Sequence, residues 1–461
     1  MAQAASKVAQ CAIEPGRNNR LDGAMPDSSP AAVAAAPPSH PAAAATHAPG
    51  AWLVLGLLTC AYSLSWMDRF LLVILIDPIS RDLHVSNTEI GLLTGFGASL
   101  LYSLSGFPMG RLADRHRRTR LVACTLGGWS ALTGMIGLAV SFPMLAAARF
   151  GMAVLSAGCS PSAYSLIADL FAPVRRGMAI ALYSLGISFG TFAGLSLGGI
   201  VSDQLGWRQA FVWLSVPGLV LALLLGLVLR EPARGRFDGN AHEAHRHYTL
   251  REAWQTLAAQ PAFLAIAMGF GLLSCAASAF ENWIPTWMIR AQHLSTTEVG
   301  ALSGVAQGLV GIVASLGFGI LADRLAARDR RWYVWIPVLT GGAVLPLVLL
   351  FFLLPRGAAY GCYMLIEFLI SGCSAPLFAA CQMLLPARLR AVGMATVLFL
   401  LNTVGMGVGP SLTGFLSDHL PAATPAAALG QAISLMQGVG VLGIVVLLAA
   451  ARRIAPGAGT P

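Results

Sequence analysis

The stretch Gly110-Arg111-Leu112-Ala113-Asp114-Arg115-His116-Arg117-Arg118-Thr119-Arg120 decides the fold. Apolar runs of transmembrane length stand on either side of it. Five arginines so close together are costly in hydrocarbon, so the segment is expected as a loop in water. The bias of positive charge toward the inner side of membranes assigns it to the cytoplasm. A second copy, Gly319-Ile320-Leu321-Ala322-Asp323-Arg324-Leu325-Ala326-Ala327-Arg328-Asp329-Arg330, begins 209 residues later. The same offset relates His84-Val85-Ser86-Asn87-Thr88-Glu89-Ile90-Gly91 to His293-Leu294-Ser295-Thr296-Thr297-Glu298-Val299-Gly300. Two stretches flanking one span repeat in register, so the chain reads as an internally duplicated membrane protein.

Composition agrees. The 461 residues are 56% hydrophobic and 11% charged, with a mean hydropathy of +0.71, whereas soluble domains carry about 25% charged residues. Uncharged runs of about 20 residues recur, each long enough to cross the hydrocarbon core as a helix. The net charge of +9 is a topology signal and does not point to nucleic acid, because 23 of the 29 Lys and Arg residues fall in the tails and alternate loops. Only Arg81, Arg208, Arg290 and Arg356 fall on the other side, while Arg69 and Arg149 lie inside apolar runs. This distribution predicts a multi-pass protein of the inner (plasma) membrane with both termini cytoplasmic. The eight cysteines show no CxxC spacing and read as small packing residues without disulfides.

Taken in order, the chain is expected to begin with an Ala/Pro-rich disordered cytoplasmic tail over 1–50, which lacks the apolar core of a signal peptide. Six spans follow within 51–230, then a polar cytoplasmic connector over 231–258, six more spans within 259–453, and a short tail over 454–461. Ser86-x-x-Glu89 is a capping box that starts the second span. Gly186, Gly190, Gly194 and Gly198, at strict four-residue spacing, clear one face of the fifth span for close approach of a neighbouring backbone. Gly405, Gly409, Pro410 and Gly414 do the same in the eleventh, where they permit bending and sliding. The fold class expected is an all-α membrane protein of twelve transmembrane helices in two pseudo-symmetric six-helix bundles.

This pattern resembles the major facilitator superfamily over nearly all of 51–453. Gly110-x-Leu112-Ala113-Asp114-Arg115-x-x-Arg118 is similar to the superfamily's loop signature. Met67-Asp68-Arg69, Ile90-Gly91-Leu92-Leu93-Thr94-Gly95, Ala157-Gly158-Cys159-Ser160-Pro161, Ile167-Ala168-Asp169-Leu170-Phe171 and Gly407-x-Gly409-Pro410 narrow the resemblance to the bacterial spinster-like group. It implies a secondary carrier working by alternating access, usually as a monomer, with a central site between the halves. It also associates the group with lysolipids and other amphiphilic organic molecules. One departure stands out: the resemblance would put an acidic residue, expected to be protonated, where this chain has Ser156. That position lies seven residues from Arg149, on the same helix face.

Charges inside a bilayer usually face a cavity or a partner. Asp68 reads either as a proton acceptor or gate, or as a structural ion pair with Arg69 or Arg149. Arg149 reads as a substrate or counter-charge contact, or as a structural partner. Glu281, near the end of its span, fits an interface or a cavity, and Glu367 sits deep enough to favour function. Tyr62, Trp66, Trp283 and Asn402 are candidate cavity residues, although interfacial aromatics are as common. Gly110, Asp114, Arg115, Arg118, Gly319, Asp323 and Arg324 are expected as gating loops whose aspartates latch neighbouring helix ends. With Ser156 in place of a carboxylate, Arg69 and Arg149 outnumber Asp68 in the first half, which favours an organic anion or anionic amphiphile as the small-molecule substrate. A proton or another counter-ion would couple through Asp68 or Glu367.

His242, His245 and His247 have metal-like spacing but read as solvated residues of a polar connector, so no metal is expected. No Walker loop, nucleophile elbow or zinc-hydrolase motif is present in the sequence, and neither a cofactor nor enzymatic activity is expected. The rival to a transporter is a membrane sensor built on a carrier scaffold that binds ligand without moving it.

Overall fold

A computed structural model describes residues 47–229, 231–232, 257–385 and 389–454. The three connector histidines, residues 1–46 and 455–461, and the side chain of Asp114 lie outside the described residues. Among the described residues eleven helices are long and apolar enough to cross a membrane: Ala51–Ile74, Asn87–Ala113, Phe142–Leu170, Pro173–Leu205, Trp207–Val228, Pro261–Gln292, Thr296–Ala326, Trp332–Phe351, Arg356–Leu384, Val392–His419 and Pro425–Ala451. A twelfth helix, Arg118–Gly137, lies between the second and third of these. Arg118 and Arg120 in its first turn, with Thr119, Thr125, Ser130 and Thr133 along its body, make it less apolar than its neighbours. Counting it third in chain order gives twelve spans, named here by ordinal number.

The connections alternate between two ends of the molecule. One end receives Arg111, Arg115, Arg117, Arg120 and Arg324; the other receives Arg81, Arg208, Arg290 and Arg356. These are called the arginine-rich and arginine-poor ends. At the first, sequence reading needs a correction. Gly110–Arg115 is not loop but the last turns of a helix, Phe96–Arg115, and Gly319–Arg324 likewise belongs to Gly311–Ala326. Arginine is a good helix former, so the helices run on past the apolar core. Only His116 and Arg117 make the first turn.

Packing follows the small residues. The first span lies along the fifth, where the glycine ladder does what its spacing promises. A Cβ at Gly190 would strike the Ser63 carbonyl oxygen, and one at Gly194 the Met67 carbonyl oxygen. Since lipid tails are as apolar as leucine, such close van der Waals contact supplies much of the cohesion between spans. The third span packs on the sixth and the seventh on the twelfth, while the halves meet where the fifth faces the eighth and the second faces the eleventh. The eighth and eleventh spans each contain a π-helical stretch, Gly304–Val310 and Leu401–Val408, a local widening that tends to mark functional sites.

Both repeated segments begin a helix in the same way. Ser86 with Glu89, and Ser295 with Glu298, each form a complete capping box. His84 and His293 precede them in left-handed backbone, φ 53° and 54°. The duplication read from residues 84–91 and 293–300 is therefore structural as well as textual. Packed structure also begins slightly ahead of residue 51: the Ala48 N–H donates to the Leu170 carbonyl at 2.8 Å, and His47 rests against Trp52 and Phe171.

Candidate functional site

Between the halves, midway along the spans, is a cavity of about 760 Å³. The five charges singled out in the sequence all line it: Asp68, Arg69 and Arg149 from the first half, Glu281 and Glu367 from the second. Tyr62, Trp66, Ser156 and Asn402 line it too.

Asp68 is 3% exposed. Its Oδ2 accepts a hydrogen bond from Thr133 Oγ1 at 3.0 Å, and its Oδ1 has no partner. Arg149 lies within its electrostatic reach, and Arg149 Nε is also without a partner. The ion pairs among the described residues join Asp77 to Arg81 and Arg290, Arg118 to Asp169 and Glu231, and Asp82 to Arg208, so none involves Asp68, Arg69 or Arg149. The reading of Asp68 as half of a structural ion pair is thus not what the structure shows. Thr133, absent from the sequence reading, takes that place: a hydroxyl in an apolar third span gives no signal until the first span is laid against it.

Arg69 reaches across the cavity. Its Nη2 lies 3.2 Å from Met406 Sδ in the π stretch of the eleventh span, and its guanidinium sits 5.3 Å from the centre of the Trp66 ring. Trp66 in turn stacks on Phe70 and meets Tyr62 edge-on, while Tyr62 stacks on Tyr183 at 4.5 Å. This side of the cavity is therefore aromatic and cationic.

The opposite wall is acidic and apolar. Glu367 is fully buried and neither carboxylate oxygen has a hydrogen-bond partner. Glu281 faces the cavity, which decides between the two placements its sequence position allowed. Gln307 donates from Nε2 to the Glu281 carbonyl at 3.3 Å and to the Tyr363 hydroxyl at 3.1 Å, holding the seventh, eighth and tenth spans together behind the two glutamates. Around them Phe270, Leu273, Val344, Leu345, Phe378 and Ile444 supply apolar surface.

Ser156 ends the helix Phe142–Ser156, and its hydroxyl bonds back to the Ala153 carbonyl at 3.2 Å. It offers Arg149 no counter-charge. Asn402 donates to the Leu398 carbonyl at 2.8 Å from within the π stretch. Trp283 must be corrected. It is fully buried and donates from Nε1 to the Pro410 carbonyl at 2.9 Å, so it joins the seventh span to the eleventh and does not line the cavity.

The expected gating residues also divide. Arg118 is buried: Nη1 sits 2.6 Å from Asp169 and donates to Ser165 Oγ at 2.7 Å, and Nε lies 2.8 Å from Glu231. Glu231 accepts from the Thr119 N–H and hydroxyl, both at 3.0 Å, which caps the third span. Burial pushes the Glu231 carboxyl up, but the bonds from Thr119 and Arg118 outweigh it and hold it below the usual carboxylate range. Arg118 therefore ties the third span, the fourth span and the start of the connector into one half of the molecule. Asp323 accepts from the Tyr333 hydroxyl at 2.9 Å, while Arg115 and Arg324 stay exposed in the last turns of their helices. Gly110 has open space where a side chain would be, so its backbone does not require glycine there.

The arrangement can hold a molecule with a charged or polar group near the arginines and an apolar portion along the second half. The model of the Major Facilitator Superfamily matches residues 58–410. An MFS-type efflux pump of Mycolicibacterium smegmatis is 36% identical over 387 residues, covering 84% of this chain and 89% of that protein. A sphingosine-1-phosphate transporter of Danio rerio is 27% identical, covering 82% and 79%. Among solved structures, a bacterial homolog of the human lysosomal transporter spinster, inward-facing and unoccupied, has a similar fold, with a TM-score of 0.81 at 24% identity over 88% of this chain and 97% of that one.

Proposed function

This chain belongs to the major facilitator superfamily, as a membrane transporter of its spinster-like group, and from that premise we propose that it moves an anionic or amphiphilic organic solute by alternating access. The observation that carries the reading is Arg149, a buried guanidinium on the cavity wall with an unpartnered Nε and a serine where a carboxylate would neutralise it. Asp68 lies within electrostatic reach but forms no ion pair with Arg149, and a buried ion left partly uncompensated carries a penalty that an anionic group on the solute would offset. The apolar wall of the second half suits an apolar tail. An efflux pump and a sphingosine-1-phosphate transporter among the relatives agree with such a cargo.

In this reading Asp68 is the proton carrier of the first half, since Thr133 leaves one of its oxygens free to take a proton. Glu367 is the second candidate. The two bundles span about 51–230 and 259–453, the arginine-rich end faces the cytoplasm, and the protein acts as a monomer in the plasma (inner) membrane.

Proteoliposomes test the proposal, with a radiolabelled lysophosphatidic acid and a matched cationic amphiphile. Arg149→Ala lowers anion uptake at least tenfold, while Asp68→Asn removes its dependence on an imposed proton gradient. Uptake of the cation alone, undisturbed by Arg149→Ala, overturns the substrate assignment. A gradient dependence that survives both Asp68→Asn and Glu367→Gln overturns the coupling assignment.

A further inference from the structure

At the arginine-poor end the two halves hold each other by the beginnings of their helices. The second span starts at Asn87, and Asp418, from the end of the eleventh span, accepts from the Thr88 N–H and the Thr88 hydroxyl, both at 2.7 Å, and from the Asn87 N–H at 3.3 Å. The eighth span starts at Thr296, and Asp203, from the end of the fifth, accepts from the Thr297 N–H at 2.7 Å and from the Thr296 hydroxyl. Each helix already has its own capping box, so these carboxylates add a second cap supplied by the other half. Four residues before each aspartate is a glycine over which the partner backbone lies. A Cβ at Gly199 would strike the Thr296 carbonyl oxygen, and one at Gly414 the Asn87 carbonyl oxygen. The unit Gly-x-x-x-Asp therefore occurs twice, at 199–203 and 414–418, each time receiving the start of one of the duplicated segments.

The geometry points to Asp203 and Asp418 as the paired latches that keep this end shut, each closing one of the two seams by capping a helix of the opposite half. Backbone N–H groups at a helix start carry partial positive charge and favour an anion. Glycine brings the backbones close enough for a short aspartate to reach them. Both carboxylates are exposed at the surface of the seam, so water can take over their bonds when the halves separate. That makes the closure reversible, as a transport cycle requires. Arg290 reinforces one seam only: it bonds Asp77 at 2.7 Å and Asn87 at 3.0 Å, whereas Arg81, its counterpart 209 residues earlier, pairs with Asp77 inside its own half.

The inference rests on the alternating-access reading, but its test needs no substrate. Spin labels carried on p-acetylphenylalanine at the exposed positions Ser141 and Ala422 report the distance between the halves at this end, with the full chain in lipid nanodiscs. Replacing a helix cap changes an equilibrium by roughly fivefold. Asp203→Ala and Asp418→Ala, which remove the accepting oxygens, should each raise the ratio of long to short distances by about that factor, and together by more. Thr88→Val and Thr296→Val, which remove only hydroxyl donors, should shift it in the same direction by less, and they decide the matter if the aspartate variants fail to fold. Unchanged distance distributions in all variants, whether or not thermal stability falls, overturn the assignment. Normal distances with lost transport would count against the latches and leave the transport reading standing.

Discussion

The two ends of this molecule spend their polar contacts differently. At the arginine-poor end Asp77, Asn87, Asp203 and Asp418 bond partners in the opposite half. At the arginine-rich end the buried cluster of Arg118, Asp169, Glu231 and Thr119 lies within the first half and the start of the connector. The first set holds the halves to each other; the second ties spans of one half together. In the alternating-access cycle proposed above, the first set would open and the second would stay closed. Across the halves the carboxylates of Asp203 and Asp418 are exposed while Asp77, paired with Arg290, is buried, and inside the first half Arg118 and Asp169 are buried.

Arg118→Ala gives the largest expected effect. Removing one partner of a buried ionic cluster leaves uncompensated charge at a cost of about 3–5 kcal/mol. The melting temperature measured in detergent should drop by several degrees, with no change in the distance between the halves at the other end. A changed distance would break the division between the ends.

Arg290→Met should do the reverse, on a smaller scale. It removes charged hydrogen bonds worth about 1–3 kcal/mol to the closed arrangement, so the long-distance population rises while the melting temperature hardly moves. Asp77 keeps Arg81 at 2.8 Å, which limits the damage. A large loss of stability with an unaltered distance distribution would show that Arg290 belongs to the rigid frame.

The smallest effect is a pH dependence. Glu231 is held below the usual carboxylate range, so its contribution to stability is fully present above the unfolded value of about 4.3. It fades as pH falls through the lower, folded value. Thermal melts of the wild type should show this acid limb, and melts of Glu231→Gln should lack it. A limb of equal size in both would assign the acid sensitivity elsewhere.

Much of this was legible beforehand. The repeat at 84–91 and 293–300 announced the duplication, because a capping box is a local device that needs only Ser and Glu three residues apart. The ladder from Gly186 to Gly198 announced a close helix pair, although not which helix would fill it. Asp68, Arg69, Arg149, Glu281 and Glu367 were recognisable because charge in an apolar run needs a cavity, and all five reached the same one. Trp283 misled because a tryptophan near a span's end looks alike whether its N–H meets solute, headgroup or the Pro410 carbonyl.

What the sequence determined by itself is therefore one-dimensional and local: twelve apolar stretches, their alternating charged connections, their caps, and the few residues too polar for lipid. Tertiary structure alone decided the partners, that Arg118 turns inward to Asp169 and Glu231, that Thr133 serves Asp68, and that Asp203 and Asp418 cap helices of the other half. The reason is physical. Burial and helix capping follow from a residue and its near neighbours, but a hydrogen bond across 330 positions, as between Thr88 and Asp418, exists only once two helix ends have been brought together, and nothing in either segment records the meeting.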